Sequence, residues 1–261
     1  MPKYCANLSF LFTEVPFPER FERAARAGFR GIEFMSPYEH APREVAAWLR
    51  QAGLEMVLFN LPAGNWAGGE RGLACMPGRE ADFRAAVAQA LPYAEALACR
   101  RVHCLAGLQP AGEAQERTRE RFIANLRYAA ERFAALDAEV LIEPINSRID
   151  MPDYWLDTPA KAFELLAQID RPNVAVQLDI YHATVMGDDA AEIIAAHFPA
   201  IGHVQIADHP GRHEPGTGMI DFAAIFATLD RLAYSGWVGC EYRPIGGTET
   251  GLAWKKESWA G

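Results

Sequence analysis

Polar side chains end four successive strand-like segments in the second half of the chain. The segment EVLIEPIN, residues 139–146, places Glu143 directly after the apolar run VLI. The segments VAVQLDIYH, HVQIAD and VGCEY carry Asp179, Gln205 and Glu241 in similar positions. A carboxylate among buried apolar residues is costly unless its charge is compensated. These four residues are therefore candidates for a site that holds a positive charge.

Strand alternation predicts that the four side chains point into one interior. Successive side chains of a strand lie on opposite faces, so Val140 and Ile142 share one face and Leu141 and Glu143 the other. In each segment the apolar β-branched residues fit a face that packs on helices, which leaves the polar residue pointing inward. Three converging carboxylates repel one another, and a divalent cation between them would remove that repulsion.

A structural alternative exists for each acid, because a single strand-end carboxylate is more often a salt-bridge partner or a loop cap. Polar layers inside barrels usually pair acids with Lys or Arg, and these strand ends offer no inward Lys. We therefore predict a metal site formed by Glu143, Asp179, Gln205 and Glu241. Oxygen ligands of this kind suit Mg²⁺ or Mn²⁺ better than Zn²⁺.

Further polar residues near strand ends are candidates for binding a substrate. His103 and His182 can hydrogen-bond a substrate hydroxyl or serve the structure alone. Arg212, in the loop GRHEPGTG, can bind a carboxylate through two parallel hydrogen bonds or form a salt bridge with Glu214. His203 lies two residues before Gln205 on the same strand face, so it is expected just outside the metal ligands. The first three strands end in three weaker candidates for the pocket wall: Asn7, Glu33 and Asn60.

Short apolar runs alternate with longer amphipathic stretches along the whole chain, and helix signals such as Thr158-Pro159 and Asp221 open several of the latter. The predicted strands are Tyr4–Phe12, Gly31–Met35, Glu55–Asn60, Arg101–Gly107, Glu139–Asn146, Val174–His182, Ile201–Asp208 and Gly236–Arg243. Eight strands that each precede a helix predict a (β/α)₈ TIM barrel, an α/β fold, as a single domain over residues 1–261. An open doubly wound sheet is the alternative, but no GxGxxG follows the first strand. The helix predicted over Arg79–Ala98 contains Pro92, which should kink or break it.

Bulk properties exclude several classes of protein. The formal net charge of −9 argues against a nucleic-acid surface. Five cysteines without a CxxC pair fit free thiols in a reducing cytosol, and we find no signal peptide and no apolar segment of membrane-spanning length. These features predict a cytoplasmic enzyme that acts on a small molecule. Trp254 and Trp259 are expected either in a contact between identical subunits or over the rim or bottom of the barrel.

The chain resembles the hydroxypyruvate isomerase family within the xylose-isomerase-like barrel superfamily. The matching stretches keep their order over nearly the whole chain: ANLSFLFTEVPF, MPGRE, RVHCLAG, FIANLRYAAERFA, VQLDIYHA, HVQIADHPGRHEPGTG and GWVGCEYRP. The resemblance implies a metal site at the four residues above. It also implies proton transfer by Glu143 and Glu241, with His182 and Arg212 contacting a small anionic keto acid.

The activity implied by this resemblance is an intramolecular oxidoreduction between hydroxypyruvate and 2-hydroxy-3-oxopropanoate through a metal-stabilised enediolate. A 2-oxo-tetronate isomerase or a ketose 3-epimerase is the alternative, because the loops NLPAGNWAGGERG and EPINSRIDMPDYWLDTP depart from the family pattern. Gln205 stands where the epimerases of the superfamily carry His, which favours the isomerase branch. A metal-binding barrel without catalysis is the alternative from another class, although a pure binder has no need of two candidate bases.

Overall fold

The computed structural model describes residues 2–256 and forms a closed barrel of parallel strands in chain order, in which the first strand also pairs with the last. The strands are β1 Lys3–Asn7, β2 Gly31–Phe34, β3 Glu55–Asn60, β4 Arg101–His103, β5 Glu139–Ile142, β6 Val174–Asp179, β7 Ile201–Ile206 and β8 Trp237–Cys240. The closed barrel confirms the predicted fold and excludes the open sheet.

Helices cover the outside of the barrel and connect the strands. They are α1 Phe17–Arg26, α2 Pro42–Ala52, α3 Glu80–Ala96, α4 Gln115–Ala134, α5 Pro159–Ile169, α6 Ile180–Met186, α7 Ala190–His197 and α8 Phe222–Arg231. Short 3-10 helices occur at Trp66–Gly68, Phe198–Ala200 and Thr250–Lys256. Two helices therefore follow β6, and the last strand is followed by 3-10 helix within the described residues.

Side-chain alternation along the strands separates the two sides of the barrel wall as predicted. Val140 and Ile142 of β5 belong to the large apolar core between barrel and helices. Leu141 belongs instead to a small cluster inside the barrel, with Cys5, Val57, Leu58, Ala175 and Trp237. This small cluster fills the lower interior, so the polar strand ends lie above an apolar floor.

All strands except β3 end earlier than predicted, and the difference falls where the chain begins its loops. The sixth strand was predicted over Val174–His182, but β6 ends at Asp179 and α6 begins at Ile180. The carboxylate of Asp179 accepts a hydrogen bond from the backbone N–H of Tyr181 (2.8 Å), which caps the new helix. The assignment of His182 to a strand is therefore wrong, since it lies in the first turn of α6.

The predicted break at Pro92 is also wrong, because α3 continues through it. Proline removes the hydrogen bond to the carbonyl four residues earlier, here that of Ala88. Both Pro92 and Ala88 are exposed, so water can bond the freed carbonyl.

The remaining sequence predictions concern the cysteines, the C-terminal tryptophans and membrane-spanning segments. All five cysteines are free and buried. Trp254 is buried, and its indole N–H donates to the Tyr242 hydroxyl at 3.0 Å, so it belongs to the core and not to a subunit contact. Trp259 lies outside the described residues. Within residues 2–256, no helix combines the length and apolarity needed to span a bilayer.

Phe122→Ala is expected to lower the free energy of unfolding by about 3–5 kcal/mol, the usual cost of removing a buried aromatic ring. Phe122 on α4 is fully buried, and its ring lies 5.0 Å from that of Trp155 in the loop after β5. Urea unfolding would measure the loss. Phe163→Ala on α5 is the control, because that ring is only half-buried and should cost less.

Candidate active site

A cavity of about 580 Å³ opens at the C-terminal ends of the strands, where active sites of this fold are built. Seven of the predicted site residues line it: Asn7, Asn60, His103, Glu143, His182, Arg212 and Glu241. Asp179 and Gln205 are buried and lie outside its lining. The long loop after β3 contributes Pro62, Gly64 and Trp66 to the wall, so the predicted position of that loop is confirmed.

Arg212 joins acids from three different elements. Its Nη2 lies 2.5 Å from Glu241 Oε1 and 3.5 Å from Asp179 Oδ2. Its Nη1 lies 3.3 Å from Oδ1 of Asp150, in the loop after β5. The structural alternative for Arg212, a salt bridge to Glu214, is not found among the described contacts, since Glu214 accepts from the backbone N–H of Ile245. Arg212 is therefore the charge partner of Glu241, Asp179 and Asp150.

The loop that carries Arg212 is organised by a buried carboxylate that the sequence analysis did not single out. Asp208 accepts backbone hydrogen bonds from Gly216 (2.9 Å), Gly218 (2.8 Å) and Ile220 (3.1 Å). Rings of Phe10 and Tyr181 flank the Arg212 guanidinium at 4.9 and 5.2 Å. The guanidinium is thus held from several sides although its residue lies in a loop.

Glu143 is the least compensated acid of the site. No described residue donates a hydrogen bond to its Oε1, which is buried. Its Oε2 lies 3.3 Å from His103 Nε2. Burial, and then the charges of Glu241 and Asp179, raise the pKa of Glu143 well above its ordinary value. Burial also raises the pKa of both Asp179 and Glu241, against the opposing effect of Arg212.

These acids fit a divalent cation. Ligand atoms of Glu143, Asp179 and His182 lie within 4.8 Å of one another, and all three residues are buried. Raised carboxylate pKa values and a buried oxygen without a donor both indicate too little positive charge at this point. A cation would supply that charge.

Hydrogen bonds to both the nitrogen and the oxygen of its side-chain amide hold Gln205 in one orientation. Its Nε2 donates to Glu33 Oε1 and to Glu241 Oε2, each at 2.7 Å. Its Oε1 accepts from Gln177 Nε2 at 2.6 Å. A carbonyl oxygen has two lone pairs, so Oε1 keeps one for a cation.

His182 is oriented by Asn146, which the sequence analysis missed although it ends the segment EVLIEPIN. Asn146 Nδ2 lies 2.6 Å from His182 Nδ1, and its Oδ1 accepts from the backbone N–H groups of Ile149 and Asp150. Because the amide oxygen is thus occupied, Nδ2 is the donor and His182 Nδ1 the acceptor, which leaves the proton on Nε2. His103 is also neutral near pH 7, because burial, and then His203, lower its pKa to about 3.

The sequence and the barrel fold match one known group of proteins. The chain belongs to the xylose isomerase-like TIM barrel family, whose model matches residues 21–258. The 2-oxo-tetronate isomerase of Cupriavidus necator is 46% identical over 256 residues, which cover 98% of this chain and 98% of that protein. The hydroxypyruvate isomerase of Escherichia coli is 46% identical over 254 residues, or 97% of this chain and 98% of that protein. A crystal structure described as an AP endonuclease, family 2, from Brucella melitensis superposes with a TM-score of 0.95 at 48% identity, over 97% of this chain and 98% of that one.

Proposed function

We propose that the protein is an isomerase that interconverts hydroxypyruvate and 2-hydroxy-3-oxopropanoate. One observation carries this proposal: two buried carboxylates, Glu143 and Glu241, line the same cavity beside Arg212. Relatives that are 46% identical over nearly the whole chain are named as isomerases of such keto acids, which supports it.

The reaction moves a carbonyl between adjacent carbons, so a proton must leave one carbon and a proton must reach its neighbour. Glu143 or Glu241 accepts the proton from the hydroxymethyl carbon, which gives an enediolate. The same carboxylate, or the other one, delivers a proton to the former carbonyl carbon, while the hydroxyl proton passes from the oxygen of the hydroxymethyl carbon to the oxygen of the neighbouring carbon. A bound cation would lower the pKa of a carboxylate that ligates it, so we expect the base to be whichever of the two is bound more weakly to the ion.

The cation is assigned to Glu143, Asp179, Gln205 and Glu241, and Mg²⁺ or Mn²⁺ suits this oxygen-rich set. Bound there, it would supply positive charge that stabilises the negative charge of the enediolate.

The substrate carboxylate is assigned to Arg212. Its Nη atoms contact the acids, but its buried Nε has no hydrogen-bond partner among the described residues. His182 and His103 line the same cavity and offer N–H groups to substrate hydroxyl or carbonyl oxygens. Asn7 and Asn60 line the same cavity from the ends of β1 and β3.

A four-carbon substrate is the second candidate, and the size of the cavity favours it. A cavity of about 580 Å³ lies within the usual range for ligand pockets of drug-sized molecules and leaves room beyond a three-carbon acid. The Cupriavidus necator relative is named 2-oxo-tetronate isomerase, which also supports this candidate.

The experiment is an NMR assay of the purified, Mn²⁺-loaded protein with hydroxypyruvate and 2-oxo-tetronate in parallel. We expect conversion of hydroxypyruvate to 2-hydroxy-3-oxopropanoate. A kcat/KM at least tenfold higher for 2-oxo-tetronate would make the four-carbon acid the substrate. Conversion of neither acid would contradict the isomerase proposal.

The resemblance to an AP endonuclease structure calls for a separate control. Binding of a nucleic-acid duplex requires Lys and Arg to neutralise phosphates, and this chain has a formal net charge of −9. We therefore propose a small-molecule substrate and no nucleic-acid partner, in a cytoplasmic protein with free thiols. Cleavage of a duplex with an abasic site by the same preparation would contradict this assignment.

A further inference from the structure

A second buried layer lies beneath the cavity and contains an acid that does not line it. Glu33 of β2 is fully buried. Its Oε2 lies 2.7 Å from His203 Nε2 and accepts from Cys5 Sγ at 3.4 Å. Glu33 therefore contacts no solvent and, by position, no substrate.

Two side-chain amides connect this buried acid to Glu241. Asn7 Nδ2 donates to Glu33 Oε1 at 3.1 Å and to Glu241 Oε2 at 2.7 Å. Gln205 Nε2 donates to the same two oxygens, each at 2.7 Å. Both N–H groups of each amide are thus shared between Glu33 and Glu241. All four residues are buried, so water does not replace these bonds.

The Glu33 carboxylate lies so close to Gly239 of β8 that a side chain at position 239 would collide with it. A Cβ atom at Gly239 of β8 would lie 2.4 Å from Glu33 Oε1 and 2.7 Å from its Oε2, far inside contact distance. The absence of a side chain at Gly239 therefore allows the Glu33 carboxylate to occupy the position in which both amides donate to it. This observation is independent of the hydrogen bonds.

The arrangement decides which end of each amide faces Glu241. A carboxylate accepts hydrogen bonds and cannot donate them, whereas an amide can present either its oxygen or its nitrogen. Glu33 accepts from the nitrogen ends, so the nitrogens of Asn7 and Gln205 also face Glu241 Oε2. With that oxygen bound twice, Glu241 Oε1 is directed at Arg212.

We propose that Glu33, held by His203, is a positioning residue that fixes Asn7 and Gln205 and through them the active carboxylate Glu241. This inference rests on the proposed function, in which Glu241 transfers a proton and binds the cation with Gln205. Glu33 itself touches neither substrate nor cation. It acts by making one rotamer of Glu241 and one orientation of the Gln205 amide the only well-bonded arrangement.

The test is Glu33→Gln, which keeps the shape of the side chain but replaces one of its two acceptor oxygens by an N–H₂ group, so either the two amides or the His203 and Cys5 side loses its acceptor. Loss of an outer hydrogen-bond partner of metal ligands typically costs about 10–100-fold in metal affinity or activity. We expect the Kd for Mn²⁺, measured by titration calorimetry, to rise by about tenfold or more. We expect kcat to fall by about 10–100-fold while KM stays within about twofold of wild type.

Glu113→Gln is the matched control, because Glu113 also accepts several side-chain hydrogen bonds, two from Arg121 and one from Thr118 on α4, but lies outside the cavity. It should change neither the Kd for Mn²⁺ nor kcat. Gly239→Ala is the second variant, since it displaces Glu33 without changing any charge. It should raise the Kd and lower kcat in the same direction, and it decides the question if Glu33→Gln does not fold.

Wild-type values of Kd and kcat in a folded Glu33→Gln or Gly239→Ala protein would overturn the proposal. A lower thermal midpoint with an unchanged Kd and an unchanged kcat in the folded fraction would also overturn it, because Glu33 would then serve stability alone. If the wild type converts neither keto acid, the proposed function fails, but the Kd for Mn²⁺ still tests the positioning.

Discussion

Glu143→Gln and Glu241→Gln are each expected to lower kcat about 1000-fold and to leave the barrel folded. Glutamine keeps the size of the side chain and most of its hydrogen bonds, but its amide cannot accept the proton from carbon. General acid–base catalysis contributes about 10²–10⁴-fold, which sets the size of the expected loss. Both residues are buried at the cavity wall, so neither can be replaced by a neighbouring exposed carboxylate.

The stability of these two variants provides a second, independent test. Burial raises the pKa of both Glu143 and Glu241, which means that their charged forms are disfavoured in the folded protein. In the metal-free protein, neutral glutamine removes that penalty, so the free energy of unfolding should stay the same or rise, while kcat of the Mn²⁺-loaded protein falls. Urea unfolding and the NMR turnover assay measure the two quantities on one preparation.

Glu139→Gln is the matched control for this prediction, because Glu139 begins the strand that Glu143 follows. It lies at the bottom of the barrel, 3.7 Å from Arg101 Nε, and should leave kcat unchanged. Normal turnover in Glu143→Gln or in Glu241→Gln would remove that residue from proton transfer. An equal loss in Glu139→Gln would indicate damage to the barrel and not to the chemistry.

The alternation of strand residues made the inward side of the barrel predictable. Leu141 and Ala175 lie in the interior cluster, and Val140 and Val176 pack toward the helices, as their positions required. This part of the fold depends only on residues one or two positions apart. For the same reason the alternation predicted that Glu143 and Glu241 point into one interior.

The ends of the strands were not predictable in the same way, because the chain leaves the sheet while its sequence remains apolar. VQLDIYHA continues the β-like pattern, yet the Asp179 carboxylate caps a helix and His182 follows it into that helix. Local propensity cannot decide between the two, since the cap depends on where the sheet ends. His182 still lines the cavity, but from a helix.

Contacts between residues far apart in the chain could not be predicted from the sequence. Asp150 reaches Arg212 across 62 positions of the chain, and His203 reaches Glu33 across 170. Arg212, His203 and Glu33 were each candidates from their own segments, but nothing in those segments indicated their partners. Their roles follow only from closure of the barrel, which places β2, β7 and β8 around one interior.

Removal of the divalent cation is expected to lower turnover about 1000-fold, and Mg²⁺ or Mn²⁺ should restore it. Charge stabilisation by a metal ion is worth several kcal/mol in such reactions, and about 1.4 kcal/mol corresponds to a factor of ten in rate. The measurement is turnover of hydroxypyruvate before EDTA treatment, after it, and after addition of each ion. Full activity after complete chelation, checked by metal analysis, would remove the cation from the proposed function.

Binding of the ion should also be visible without turnover. A ligand that binds only the folded state stabilises it by about 2.7 kcal/mol at one hundred times its Kd, so Mn²⁺ should raise the thermal midpoint of the chelated protein. Asp179→Asn should abolish most of this increase, because it removes a proposed ligand charge while Asn still caps α6.

Asp189→Asn is the matched control, since Asp189 caps α7 through the same kind of bond, to the backbone N–H of Glu192 at 3.0 Å, and lies outside the cavity. Both substitutions remove one negative charge and both keep a capping side chain. Their difference in the Mn²⁺-induced shift therefore isolates the effect of charge at the acid cluster from the effect on helix capping. Equal shifts in the two variants would mean that Asp179 serves the helix and not the ion, and the ligand set would then have to be built from Glu143, Gln205 and Glu241 alone.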